Sequence, residues 1–152
     1  MKKQSDLFKN DVTVFAVELI AERQIQGPIV SGPAGVAQFA IDFLKRADRE
    51  HFCVAFLATS NRIIGVHTAH VGSINASVVR AADVFKAAIL SNAVSIVAFH
   101  NHPSGNTEPS AEDIAVTRQL AEAGRVIGIR LVDHLIVTPG GDYVSLAERG
   151  VL

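Results

Sequence analysis

Val94-Ser95-Ile96-Val97-Ala98-Phe99-His100-Asn101-His102-Pro103-Ser104-Gly105, resumed after four residues by Ser110-Ala111-Glu112-Asp113, is the stretch on which the reading of this chain turns. Residues 94–99 are short, apolar and β-branched, the mark of a buried strand running into His100. Alternate side chains of an extended chain share a face, so His100 and His102 point the same way at the strand's end. Pro103 disfavours helix before it and Ser104-Gly105 invites a turn, so the chain leaves the sheet there. Further on, Ile114, Ala115, Leu120, Ala121 and Ala123 recur at helical spacing, which predicts a helix over 110–124 with Asp113 in its first turn, facing back toward the histidines. Two imidazoles and a carboxylate then form a three-ligand set for a divalent metal. Zinc (Zn2+) is the favoured occupant, because catalytic zinc sites hold the ion with three His, Asp, Glu or Cys ligands and keep a fourth position for water. The same residues have a plainer reading. Ser110-x-x-Asp113 is also a capping box with Asp in place of Glu, and Pro103-Ser104-Gly105 is ordinary turn chemistry. Ser110 can be cap and catalytic residue at once.

Outward from this stretch the pattern is that of an α/β chain. A helix is expected over 12–23, interruptions at Gly27-Pro28 and Ser31-Gly32-Pro33, and a second helix over 33–47 with Val36, Phe39, Ala40, Phe43 and Leu44 as its apolar stripe. Strands follow over 51–59 and 62–71, joined by a turn at Ser60-Asn61, then a helix over 78–90. Two last strands, 131–138 and 142–145, are joined by Pro139-Gly140-Gly141, a hairpin signal. The sum is a mixed β-sheet flanked by helices. No repeat and no low-complexity linker interrupts it.

Composition bounds the rest. A chain of 152 residues with 49% hydrophobic content makes one globular domain with a sizeable core. A formal net charge of −1 and a pI near 6.6 lack the basic footprint of most nucleic-acid binders. The one cysteine, Cys53, cannot pair within the chain, which fits a reducing compartment and a core-packing role. No apolar run follows the basic start and none reaches the roughly 18 residues of a membrane span, so a cytoplasmic protein with no membrane partner is expected.

The spacing His100-x-His102, seven residues, then Ser110-x-x-Asp113 resembles the JAMM metalloprotease motif. With His100-Asn101-His102-Pro103-Ser104-Gly105 and Pro109-Ser110, the string further resembles the RadC family, whose members carry a JAMM-type domain and a historical "DNA repair" label. Glu50-His51-Phe52, Asn61-Arg62-Ile63-Ile64, Gly72-Ser73-Ile74-Asn75-Ala76-Ser77, Asp133-His134 and Asp142-Tyr143-Val144-Ser145 extend the match over roughly residues 30–150. The resemblance implies a JAMM/MPN domain of the cytidine-deaminase-like architecture over 30–152, behind an N-terminal helical extension over 1–29. It implies His100, His102 and Asp113 as metal ligands, Ser110 as transition-state stabiliser and Glu50 as general base. Glu108 and Glu112 compete for the last role, but Glu112 points roughly 100° around the helix from Asp113 and Glu108 lies in a loop. The chain departs from the family pattern at Ala81-Ala82-Asp83, where RadC proteins typically read Pro-Arg-Glu, and at Ala58, where an acidic residue is usual. About thirty residues precede the matched segment, too few for the helix-hairpin-helix region that many relatives carry.

The expected function is that of a JAMM-type zinc metallopeptidase or isopeptidase, with a peptide or protein substrate whose amide bond is cut by metal-activated water. A metal-dependent nuclease or DNA-repair-associated protein is the second expectation, and a non-catalytic interaction domain the third. A His-Glu-x-x-His protease and a Pro-Cys-x-x-Cys deaminase are excluded for want of those strings. Self-association through exposed sheet edges, as a homo-oligomer, is a further expectation. His67 and His70, three apart on one strand, should face opposite sides. His134, beside Asp133, is expected to make a structural hydrogen bond, with support of the ligands from behind as the second reading, rather than to join the ligand set.

Overall fold

Two of the strands are buried almost end to end, and they set the middle of the sheet. In the computed structural model, which describes residues 16–152, His51–Leu57 (β1) and Ser95–Asn101 (β3) lie side by side, antiparallel, with Phe52 opposite His100. Near-continuous apolar runs of this kind belong to strands covered on both faces. Ile63–Val71 (β2) flanks β1 at one edge; Arg130–Val137 (β4) and Tyr143–Ser145 (β5) extend the other, in the order β2-β1-β3-β4-β5. Only β3 and β4 run parallel, and parallel neighbours require a crossover. Helix Ala111–Ile127 (α3) is that crossover.

The faces divide cleanly. Phe52, Val54, Phe56, Ile96 and Ala98 pack beneath α3 and helix Ala81–Leu90 (α2), through Val116, Leu120, Val84 and Phe85. Cys53, Ala55, Leu57, Val97 and Phe99, the alternate residues, pack beneath helix Pro33–Leu44 (α1), through Val36, Ala37, Ala40 and Leu44. Phe39 and Phe43, the partly buried members of the α1 stripe, meet Phe99 edge-on at 6.2 and 5.9 Å between ring centres. Cys53 is a free, buried thiol whose pKa burial pushes up to about 11, so it behaves as a core side chain. Among the described residues no helix is long and apolar enough to cross a membrane.

Several element boundaries differ from the sequence expectation. Residues 1–15 fall outside the described residues, and 16–23, the rest of the helix expected over 12–23, is irregular and exposed. Val17, Leu19 and Ile20 bury no face there, and a helix this short is marginal without packing. Helix α1 stops at Leu44, short of 47, and α2 starts at Ala81, past 78. The Asn75 side chain accepts from Ser77 N and Val78 N at 3.0 and 3.1 Å, holding that segment in a turn that competes with helix. Helix α3 runs past Gly124 to Ile127 and ends on Gly128, whose φ of 86° suits the left-handed cap. In strand β2, His67 pairs opposite Val54 and His70 opposite Phe52, two residues of one β1 face. A slip in register between those pairs breaks the alternation, so the opposite-face expectation does not hold.

Gly124 is inside α3 because the helix lies too close to β4 for a side chain. A Cβ there would stand 2.5 Å from Ile129 O and 3.1 Å from Phe85 Cζ. Alanine is the better helix former by about 1 kcal/mol, but forcing a methyl into a filled space costs about 1–3 kcal/mol. Gly124→Ala is therefore expected to lower the thermal unfolding midpoint, measured by circular dichroism. A raised midpoint would mean that propensity wins and that the spacing has room.

Candidate metal centre

Strand β3 delivers His100 to the sheet's end, and His102 leaves it still tied to β4 by His102 N donating to Val137 O at 2.9 Å. The chain then turns at Gly105, whose amide donates to His102 O at 3.1 Å, and reaches Ser110, the N-cap of α3. Ser110 Oγ accepts from Asp113 N at 3.0 Å while Asp113 Oδ2 accepts from Ser110 N at 2.8 Å, a reciprocal capping box. Both sequence readings of Ser110-x-x-Asp113 therefore coexist. The cap fixes the Asp113 carboxylate, and the remaining side of that carboxylate faces the histidines: Oδ1 is 3.2 Å from His100 Nε2, and Oδ2 is 3.4 Å from His102 Nε2. The two Nε2 atoms are 3.0 Å apart.

Proton counting decides what these atoms offer. Thr117 Oγ1 gives its single proton to Asp113 O at 2.6 Å, so at 2.6 Å from His134 Nδ1 it accepts. His134 is fully buried, and burial holds its pKa well below the ordinary imidazole value, so the ring is neutral. With its proton on Nδ1, His134 Nε2 accepts from His100 Nδ1 at 2.7 Å. His100 in its neutral form then presents a bare lone pair at Nε2. His102 reaches the same state separately, because its Nδ1 donates to Asn106 O at 2.6 Å. Two lone pairs and a carboxylate thus converge with no donor among them, an arrangement that calls for a cation.

The dimensions fit zinc. Tetrahedral ligands about 2.0–2.1 Å from the ion lie about 3.4 Å from one another; here the two Nε2 atoms are 3.0 Å apart, each with its own Asp113 oxygen at 3.2 or 3.4 Å, and one ligand atom from each residue can be chosen with all three within 4.8 Å. Among the described residues His100, His102 and Asp113 are the one group of three or more His, Cys, Asp or Glu side chains so gathered. Without a metal a proton takes the cation's place. The Asp113 carboxylate raises the His102 pKa, and although burial alone would raise Asp113, hydrogen bonds from His100 and His102 hold that carboxyl well below the usual range.

Glu50 and Ser110 fall around the same cleft of about 360 Å³, whose lining also includes Ser73, Ile74, His102 and Glu108. Glu50 Oε2 accepts from Ile74 N at 3.3 Å. Glu108 also lines the cleft, but its carboxylate is engaged by Arg149 at 2.9 Å. Glu112 is exposed on α3 and absent from the lining. A larger groove of about 570 Å³, between α1, Arg62 and residues 26–28, holds no convergent set of ligands. The two readings of His134 meet in one contact: it makes a buried hydrogen bond, and its partner is the candidate ligand His100. What brings it there is a slip in β3–β4 pairing between Ile96 and Val97, which sets His134 opposite Ala98, on the face of His100. Thr117 was missed altogether, since a threonine inside a helix gives no signal of its own.

Comparison with known proteins agrees with this geometry. A sequence-family model described as the RadC-like JAB domain matches residues 30–151. The chain is 43% identical over 127 residues to a UPF0758 protein of Desulfitobacterium hafniense, covering 82% of this chain and 55% of that protein. It is 50% identical over 123 residues to a UPF0758 protein of Salinibacter ruber, covering 81% and 52%. A third, from Chloroflexus aurantiacus, is 45% identical over 122 residues, covering 80% and 53%. The chain thus spans about half the length of these curated relatives. It belongs to the RadC-like JAB domain family.

Proposed function

We propose that this chain is a zinc-dependent hydrolase that cuts an amide bond, peptide or isopeptide. The observation that carries the reading is the convergence of three acceptor atoms, His100 Nε2, His102 Nε2 and an Asp113 oxygen, with the proton of each imidazole committed elsewhere. When bound, the metal supplies a Lewis acid and a water acidic enough to attack at neutral pH. Glu50, which lines the same cleft as His102, is the general base: a carboxylate oxygen takes the proton from the attacking water and returns it to the leaving amine. Ser110 Oγ has one lone pair occupied by Asp113 N and keeps its own proton to donate to the developing oxyanion. A phosphodiester substrate is less favoured, because Glu50, Glu108 and Asp113 line the cleft and no Lys or Arg does. An interaction domain without chemistry would leave the three-atom arrangement and its buried hydrogen-bond chain without a purpose.

Three outcomes follow from this reading. Mass-spectrometric metal analysis of protein purified without chelator or His-tag is expected to find about one zinc per chain, and little in His102→Ala, in keeping with the three-ligand count. An absence of zinc from both after it is offered and washed away would remove the hydrolase reading. Glu50→Gln is expected to keep the metal and lose turnover by about a hundredfold or more on a peptide or isopeptide substrate; retained turnover would exclude Glu50 as base.

The third outcome concerns pH. In the metal-free fold His102 has a raised pKa, so its protonation stabilises the folded state fully below about pH 6.5, and that gain is lost as pH rises through the raised value. Asp113, with its lowered pKa, contributes in the opposite sense and only in acid. Zinc ligands must be deprotonated, so binding strengthens as pH rises. His134, kept neutral by burial, shifts both forms alike, so between about pH 6 and pH 8 the gap between the thermal midpoints of the zinc-loaded and the chelated protein should widen. Parallel midpoint curves would mean that the metal is bound elsewhere.

A further inference from the structure

Asn101 stands between the two histidines, on the opposite parity of β3, with Val97 and Phe99 on the α1 face. It cannot join His100 and His102 in the ligand set, yet it is only 5% exposed. Both ends of its side-chain amide are engaged, each once: Oδ1 accepts from His51 N at 2.8 Å, and Nδ2 donates to Arg49 O at 2.9 Å. Those two backbone groups belong to the residues on either side of Glu50. The β1–β3 ladder ends at Phe52 and His100, so no regular strand pairing with β3 holds Glu50. The Asn101 side chain takes over from the ladder, giving one hydrogen bond and receiving one around a single residue. From the other side Gly72 N donates to Glu50 O at 2.8 Å, and Ile74 N reaches the carboxylate. Counting back two residues from Phe52, which packs on the face of His100, puts Glu50 on that same face.

We infer that Asn101 is the positioning residue of Glu50: its carboxamide clamps the Arg49 and His51 peptides so that the Glu50 carboxylate is held at the cleft that His102 also lines. The role needs both halves of a carboxamide. Aspartate keeps the acceptor for His51 N but loses the donor and sets a negative charge against Arg49 O; alanine loses both. Packing alone would be met by an apolar residue, as at Val97 and Phe99. The inference rests on Glu50 being the base, but the clamp is tested without that assumption.

The test uses isotope-labelled, zinc-loaded protein and amide hydrogen exchange, with Val97 and Leu135 of the central strands as references. Asn101→Asp and Asn101→Ala are expected to keep zinc and the protection of the reference amides, while exchange accelerates by about tenfold or more at Ile74 in both and at His51 in Asn101→Ala. In a Glu50→Ala background, where Ile74 N has already lost its acceptor, Asn101→Ala should add nothing at Ile74. That non-additivity separates positioning from general loosening of the sheet. The inference is overturned if Ile74 exchange is unchanged in both variants, if the acceleration is equally large in the Glu50→Ala background, or if both variants lose zinc while the sheet stays protected. Should Asn101→Ala not fold, Asn101→Asp gives the same readout. Retained turnover in Glu50→Gln would sink the base assignment and leave the exchange result standing, so the two failures are distinguishable.

Discussion

His100 has no contact with solvent, and a buried imidazole must find a partner for each ring nitrogen or lose about 1–3 kcal/mol for the one left bare. Much of the surrounding architecture answers that demand. His134 takes the Nδ1 proton, and it can do so because β4 slips by one residue against β3 and turns His134 to the face of α3. Thr117 then fixes the His134 tautomer, which requires α3 to lie close on β4, and Gly124 is what lets the helix come so near. Phe52 closes the pocket, its ring 6.0 Å from that of His100 and 5.2 Å from that of His134. With Nδ1 committed, Nε2 is left facing Asp113 and His102, and the fold delivers a lone pair to a fixed point.

Asp113 meets two demands at once. As N3 of α3 it completes the cap of a 17-residue crossover, a contribution of about 1 kcal/mol. As an anion beside two imidazoles it supplies the charge that favours a cation at the site. The cap restrains its rotamer before any ion arrives, so little side-chain freedom remains to be lost on binding. Asp133, the other buried carboxylate of the region, serves the fold alone: it accepts from His134 N, Ser145 Oγ and Ala147 N and fastens β5 to β4.

The part of the site that was legible in the sequence lies within fourteen consecutive residues. His100, His102, Ser110 and Asp113 could be placed by a period of two, a proline, a turn and a helix start, all of them local signals. Everything that depends on register was not legible. The His134 contact needs the irregularity at Ile96 and Val97, and the facing of His67 and His70 needs another in β2; neither slip leaves a mark in an alternation pattern. Gly124 reads as a helix stop because glycine usually is one, and only the packing of α3 on β4 shows it as a contact. Asn101 is hidden for a different reason. In a row of two histidines an asparagine looks like a spacer, and its partners are some fifty residues away.

The capping box also constrains how the proposed metal chemistry would be lost from such a chain in the course of evolution. His102 is the most exposed of the three candidate ligands and carries no part of the core, so its loss would leave the fold nearly intact. His100 is held in a buried chain of hydrogen bonds, and Asp113 begins the crossover helix. Decay toward a catalytically silent descendant is therefore ordered. It starts at His102, and the aspartate persists longest, retained as a cap after it has stopped serving as a ligand. In such a lineage an intact Ser-x-x-Asp is evidence of a helix start rather than of an enzyme.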